Sequence, residues 1–337
     1  MRTHDQSERR PDGREPVHGW RRTFGDADEQ AACLDSLYPQ RYDQLEAGRF
    51  RGEMIRIDLD GVIVVRERVN RRLMQTGSMG SPSIGWLLAS QGRFRFNREE
   101  FGPQRAIFYR QGSEFEIQAA PSDLIGIAIV PERLTQATQR LAHLQSPAAR
   151  EGVRMLPVEV QRRLQRAAQR ALALLDADAA PVLQAPPAAL RRELIDLMLT
   201  VAALPQAEPP RRRGRARTFD RVVRAAQRAI AAEPAQPNSI ATLCRHIGVS
   251  RRNLFYAFDE VLGLSPLRYR QALRLNAVRR ALKARSTLTV PIGDLAWSAG
   301  FTHPSRFAAE YRQLFGERPC ETRRRIVAPA QDSAIAG

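Results

Sequence analysis

Between Gly48 and Val130 the apolar residues fall at every second position. Ile55, Ile57 and Leu59 alternate with Arg56, Asp58 and Asp60, Phe94 and Phe96 flank Arg95, and Phe115 and Ile117 flank Glu116. A period of two sends one row of side chains to each face of a strand. Turn signals at Asp60-Gly61, Gly77 to Pro82, Gln91-Gly92, Gly112-Ser113 and Pro121 to Asp123 cut the stretch into short pieces. Several short strands at this spacing predict an antiparallel sandwich or barrel. Ahead of it, residues 1–30 are rich in charge, Gly and Pro and read as a disordered tail. Asp35 to Glu46 is expected to hold a short helix.

Beyond Val130 the period becomes helical. Pro131 to Leu144 opens with Pro at a first-turn position. Pro157 to Leu175 sets Val160, Leu164, Ala168, Ala171, Leu172 and Leu175 on one face, and Pro187 to Leu204 carries Leu190, Leu194, Leu197 and Val201. The last two apolar faces need cover, either from the strands or from a second copy in a homodimer. Residues 205–217 are Pro- and Arg-rich and nearly free of apolar side chains, so they read as a linker. A helix from Phe219 to about Ala232 opens the final domain. The expected division is a tail at 1–30, a sensor-like domain at 31–204, the linker at 205–217, an all-α domain at 218–326 and a second tail at 327–337.

That final domain contains an internal repeat. Ile240, Leu243, Cys244 and Gly248 recur as Ile292, Leu295, Ala296 and Gly300, and Leu254, Phe258, Gly263 and Pro266 recur as Phe307, Tyr311, Gly316 and Pro319. Each copy reads as helix, Gly-containing turn, second helix: the helix-turn-helix unit whose second helix enters a DNA major groove. In the first copy Ser250 is an N-cap candidate, and Leu254, Phe258 and Leu262 share the inward face. Arg251, Arg252, Asn253, Phe255 and Tyr256 remain for DNA. Arg suits guanine N7 and O6, Asn suits adenine, and an aromatic ring can meet a thymine methyl. Phe255 could equally be a packing contact with a neighbouring helix.

In the second copy Thr302 or His303 caps, and Pro304 takes the first helical position. Phe307, Tyr311 and Leu314 point inward, while Ser305, Arg306, Ala308, Ala309 and Arg312 remain outside. His303 is a cap or a phosphate contact. This face carries less charge, which predicts weak base reading. Ser265 to Ala284 is long enough for one helix connecting the two copies.

Charge changes the picture more than length does. The 337 residues carry a formal charge of +17, and residues 206–328 hold 24 Lys/Arg against 9 Asp/Glu. The basic excess therefore sits in the repeat-bearing segment, as contact with double-stranded DNA requires. Lys283 is the only lysine. Cys33, Cys244 and Cys320 form no metal-type spacing and suggest a reducing, cytoplasmic setting. The longest apolar run, Leu124 to Val130, is too short to cross a bilayer, and the first 30 residues lack a signal-like apolar segment.

The C-terminal stretch resembles the AraC/XylS family of bacterial transcription regulators over roughly 219–326. The segments SRRNLFYAFDEVLGLSP, RLNAVRRAL and GFTHPSRFAAEYRQLFGERP carry the likeness. The resemblance implies base contacts at Arg252, Phe255 and Tyr256 in the first unit and at Pro304, Ser305 and Ala309 in the second. It also implies RNA polymerase as a partner. Phe255 and Tyr256 stand where the family commonly has polar or basic residues, and Ala309 where it often has Arg. The front half, through LYPQRYDQLEAGRFRGEMIRIDLDGVIVVRE and GSEFEIQAAPSDLIGIAIVPERL, resembles the sensor domains of ethanolamine-operon regulators. That likeness implies activation of transcription in response to ethanolamine and the cobalamin coenzyme.

The fold class expected is therefore α+β and multidomain: an N-terminal antiparallel β-barrel or cupin-like sensor with flanking helices, then an all-α domain with two helix-turn-helix units. A barrel of this kind binds a small effector in its mouth. Met54, Trp86, Phe94, Phe96, Tyr109 and Phe115 are the candidate lining residues, although each is more economically read as core. No cofactor or metal is expected, because all five histidines (His4, His18, His143, His246 and His303) lie outside 48–130. No catalytic pairing is evident, and a zinc-thiolate methyl acceptor would need clustered cysteines. The function expected is an effector-responsive transcriptional activator, with an effector-independent architectural DNA-binding protein, or a barrel enzyme fused to a DNA-binding domain, as the alternatives.

Overall fold

The computed structural model of the protein describes residues 18–35, 37–97, 99–130, 150–175, 187–207, 214–232 and 239–327. The expected helix Pro131 to Leu144, the first 17 residues and the tail beyond 327 lie outside them. The chain divides into two compact units: Met1–Tyr42 with Arg51–Pro210, and Asp43–Phe50 with Arg211–Gly337.

Among the described residues, twelve strands belong to the first part of the chain. They are β1 (His18–Phe24), β2 (Gln40–Gln44), β3 (Gly52–Leu59), β4 (Val62–Val69), β5 (Leu73–Ser78) and β6 (Ser83–Ser90). After them come β7 (Arg95–Phe96), β8 (Glu99–Glu100), β9 (Arg105–Tyr109), β10 (Glu114–Ala119), β11 (Ser122–Ile129) and β12 (Gly152–Met155). Seven form one sheet in the order β1-β3-β4-β11-β6-β9-β12, and five form another in the order β2-β5-β10-β7-β8. The Asp60-Gly61 signal is a two-residue hairpin turn: Leu59 pairs with Val62, and both turn residues have positive φ, 51° and 85°. The Asp58 carboxylate accepts the Gly61 N–H at 2.8 Å.

Strand alternation sorts the core into two layers. One face of the seven-stranded sheet presents Met54, Ile63, Val65, Leu87, Ile107 and Tyr109 to Phe96, Phe115 and Ile117 of the other sheet. Its opposite face presents Ile55, Ile57, Val62, Val64, Trp86, Phe108 and Ile127 to two helices, α2 (Val158–Ala173) and α3 (Pro187–Ala203). The expected closed barrel is therefore corrected to two antiparallel sheets packed face to face, with helices on one outer face. The described strands pair into two separate ladders rather than one continuous ring. The apolar stripes of α2 and α3 are buried on the sheet, which removes the ground for assigning dimer contacts to them.

Two other expectations change. Residues 18–30 are not tail: β1 pairs along its full length with β3, from His18 opposite Asp58 to Phe24 opposite Gly52. Helix α1 (Ala27–Ala32) follows, its first turn capped by the Asp26 carboxylate, which accepts the Asp28 N–H at 2.9 Å. The stretch from Asp35 to Glu46 yields strand β2 rather than a helix, and Tyr42, Asp43 and Gln44 are all buried in it. Its lack of alternation hid it, since every one of the last three positions is enclosed.

Leu194 on α3 is fully buried against the sheet. Leu194→Ala is expected to lower unfolding free energy by about 2–5 kcal/mol in urea denaturation. A loss below about 1 kcal/mol would mean that the helix layer is not a packed part of the core.

Candidate nucleic-acid interface

The second unit is built from helices that the repeat specifies. Helix α4 (Arg215–Ala232) opens it, starting at Arg215 rather than Phe219, with Phe219, Val222, Val223, Ala226 and Ile230 buried. The first copy is α5 (Ile240–Ile247) and α6 (Arg251–Leu262), joined through Gly248 at φ 70°. Ser239 caps α5 and Ser250 caps α6, each hydroxyl accepting a backbone N–H, from Thr242 at 3.1 Å and from Asn253 at 3.2 Å. Helix α7 (Pro266–Lys283) connects to the second copy, α8 (Ile292–Ser298) and α9 (Pro304–Phe315), and α10 (Pro319–Val327) closes the unit. The paired positions fulfil matching roles. Leu254 and Phe307, and Phe258 and Tyr311, are buried on their helices, and Gly263 and Gly316 both end theirs at positive φ, 62° and 70°.

On α6 the inward face takes Leu254, Ala257, Phe258, Val261 and Leu262. Arg251, Arg252, Asn253 and Tyr256 are exposed, and Phe255 is half-buried. The two aromatics act as seats for the arginines one turn earlier. The Arg251 guanidinium lies 5.5 Å from the Phe255 ring centre and that of Arg252 lies 5.4 Å from Tyr256. Arg252 also donates to the Tyr256 hydroxyl at 3.4 Å. From α4, Arg215 stacks on Phe219 and on Tyr256, at 5.0 and 5.5 Å. Arg215 was not singled out by the sequence, because it falls in the expected linker.

On α9 the core side takes Phe307, Tyr311, Leu314 and Phe315. His303, Pro304, Ser305, Arg306, Ala309 and Arg312 are exposed, and Ala308 is half-buried rather than outward. His303 is the residue preceding the helix, but neither it nor Thr302 supplies a side-chain cap, so the expected cap is corrected. Pro304 needs none at its own nitrogen, having no N–H. Arg306 donates to Glu310 at 2.8 Å, which neutralises part of this face. Trp297, the repeat equivalent of Arg245, is 67% exposed on α8. The second copy thus shows an aromatic where the first shows a cation.

A buried charge cluster holds the second copy together. Arg279 of α7 pairs with Glu317 at 2.8 Å, with 6% and 10% of the side chains exposed. Arg279 also donates to the Tyr311 hydroxyl at 3.3 Å and lies 4.5 Å from the Phe315 ring centre. Glu317 accepts from Thr322 at 2.6 Å and from Arg325 at 2.5 Å. Burial outweighs the nearby guanidinium and pushes the Tyr311 hydroxyl up to about 12.

In the first unit five of the effector candidates share one cluster: Met54, Phe94, Phe96, Tyr109 and Phe115. Phe96 and Phe115 meet Tyr109 edge-on, at 5.1 and 6.0 Å. Trp86 is corrected out of this group, because strand alternation turns it to the helix-covered face with Ala106 and Ile125. A buried polar node in the same unit was not foreseen from residue patterns. Glu67 is buried and accepts from the Tyr42 hydroxyl at 2.7 Å and from Gln30 at 2.9 Å. Burial raises its pKa. Among the described residues no cluster of His, Cys, Asp and Glu could hold a metal, and no helix is long and apolar enough to cross a membrane.

Residues 243–325 match the helix-turn-helix domain model. The chain is similar to a probable thc operon regulatory protein of Rhodococcus erythropolis, 34% identical over 105 residues, covering 31% of this chain and 32% of that protein. It is also similar to XylDLEGF operon transcriptional activator 2 of Pseudomonas putida, 36% identical over 74 residues, covering 22% and 47%. The chain thus spans a third to under a half of the length of these relatives. Among solved structures, a probable AraC family transcriptional regulator from Rhodopseudomonas palustris is 33% identical over 32% of this chain and 97% of that one, with a TM-score of 0.28. The AraC-like transcriptional activator CuxR is 18% identical over 82% and 99%, with a TM-score of 0.41. Residues 243–325 of the second unit therefore carry a helix-turn-helix domain, a DNA-binding architecture.

Removing the charge from the buried cluster tests how the unit is held. Glu317→Gln leaves Arg279 enclosed without a carboxylate and is expected to cost about 3–5 kcal/mol in chemical denaturation. An unchanged midpoint would show that the pair contributes nothing net.

Proposed function

We propose that this protein is a sequence-specific, effector-responsive transcriptional regulator of the AraC type that acts as an activator. The observation that carries the reading is the division of α6 and α9 into a buried, largely apolar inner face and a mostly exposed outer face. On α6 the outer face offers arginines, an asparagine and aromatic edges, which is the chemistry that discriminates base pairs in the major groove. Arg252, Asn253 and Tyr256 are the base-reading residues in this proposal, with Arg251 and Ser250 on phosphates and Phe255 supporting Arg251. On α9, Ser305, Ala309 and Pro304 are the groove-facing group, and His303, Arg306 and Arg312 serve the backbone. The excess of basic over acidic residues in this part of the chain supports contact with a polyanion.

Helix α7 packs against α6 on one side and against α8, α9 and α10 on the other. A connector held at both ends supports simultaneous engagement of two groove segments on one duplex. RNA polymerase is the partner an activator addresses, and a second copy of the chain is a further partner in the proposal. The effector site is assigned to the cluster between the two sheets, lined by Phe96, Tyr109 and Phe115 and without Trp86. The ethanolamine-operon likeness makes small amines, with cobalamin, the first effectors to try.

Footprinting of the full chain on the intergenic DNA beside its own gene should show two protected segments about one helical turn apart. Adding ethanolamine and cobalamin should change occupancy, and an identical footprint with and without them would favour an architectural role. Arg252→Ala is expected to weaken the specific site by about 1–3 kcal/mol and to relax preference at one base pair. Equal weakening on random DNA would reassign Arg252 to a phosphate.

A further inference from the structure

Eight residues far upstream of the helices belong to the second unit: Asp43–Phe50. The carbonyls of a helix's last turn have no partner within the helix. On α6 the Gly263 N–H donates to the Asp259 oxygen at 2.8 Å. On α9 the same local bond exists, from Gly316 to Arg312, but two further carbonyls are served by the upstream segment. Gly48 N–H donates to the Leu314 oxygen at 3.0 Å and to that of Gln313 at 3.2 Å. The Gln44 side-chain amide also donates to the Leu314 oxygen, at 2.7 Å. Gly316 has a second reason to be glycine, since a Cβ there would lie 3.1 Å from the Arg49 nitrogen and 3.2 Å from its Cβ.

The same segment grips the connecting helix. Asn276, 2% exposed in the middle of α7, exchanges two hydrogen bonds with the Gln44 backbone. Its oxygen accepts the Gln44 N–H at 3.0 Å, and its amide donates to the Gln44 oxygen at 2.9 Å. Arg280 donates to the buried Asp43 carboxylate at 2.8 Å. One short segment is therefore bonded to α7 at two points and to the end of α9 at two more.

We infer that Asp43–Phe50 is a positioning element for the second DNA-reading helix, with Gln44 and Asp43 setting how α9 is held against α7. Neither side chain faces DNA in the proposed reading; both act through α9. The bonds described for this segment go to α7 and to the end of α9, so its effect is expected on the half of the recognition surface that α9 supplies. Tyr42, the preceding residue, is the one hydrogen-bonded to Glu67 in the first unit. A single peptide bond thus joins the buried polar node of the sensor-like unit to the residues that hold α9.

The inference rests on the DNA-binding reading, and the test separates the two. Full-length wild type, Gln44→Met and the pair Asp43→Arg with Arg280→Asp are footprinted on the fragment carrying both protected segments, with melting temperatures measured alongside. The segment read by α9 is the one whose protection Arg312→Ala removes. Gln44→Met keeps the side-chain bulk and loses the amide donors. It is expected to weaken protection of that segment by about tenfold while the other changes by less than about twofold. Asp43→Arg alone should do the same, and Arg280→Asp added to it should restore most of the protection. Equal effects on both segments, or weakening that simply follows the melting temperature without charge-swap rescue, overturns the positioning role. If the wild type protects no DNA at all, the regulator reading itself falls and takes this inference with it.

Discussion

A guanidinium that water scarcely reaches must have a counter-charge, and the second unit is organised around that requirement. Arg279 leaves α7 and meets Glu317 just before α10, with Tyr311 and Phe315 of α9 completing its surroundings. Desolvating such a group costs several kcal/mol, so the arrangement tolerates only a geometry in which its partners stay in place. Arg279 thereby joins α7 to α9, and Glu317 carries the connection on to Thr322 and Arg325 of α10. Because α7 also packs on α6, the first and second reading helices share a common support.

Much of this unit was legible in the chain. The repeat predicted both turns, both inward faces and both proline-started exits because each rests on a local rule: glycine at positive φ, a serine cap, an apolar stripe of helical period. What stayed hidden was whatever depends on residues distant in sequence. Asn276 reads as an unremarkable polar residue in a helix until Gln44 is seen against it. A buried asparagine amid Leu275 and Val278 was a usable signal that some backbone needed a partner. Nothing in the composition of residues 43–50 announces that they leave the strand-rich part of the chain.

The first unit shows the complementary limit. Alternation told which residues share a face, but not what covers each face. Trp86 and Tyr109 both belong to alternating strands, and only the sheet order shows that one turns to the helices and the other to the opposite sheet. Closure of a barrel is likewise a property of neighbour order, which separates the described strands into two sheets. Burial on both faces erased the alternation of β2, so its local pattern pointed to a helix.

The stacked arginines of α6 have a thermodynamic meaning. Long side chains ordinarily surrender much of their rotamer freedom when they dock, and that lost entropy is subtracted from the attraction gained. Arg251 and Arg252 already rest on Phe255 and Tyr256 one turn along, so part of that ordering precedes the arrival of any duplex. Aromatic residues that make few contacts of their own with bases can therefore still sharpen recognition, by narrowing the poses their cationic neighbours explore.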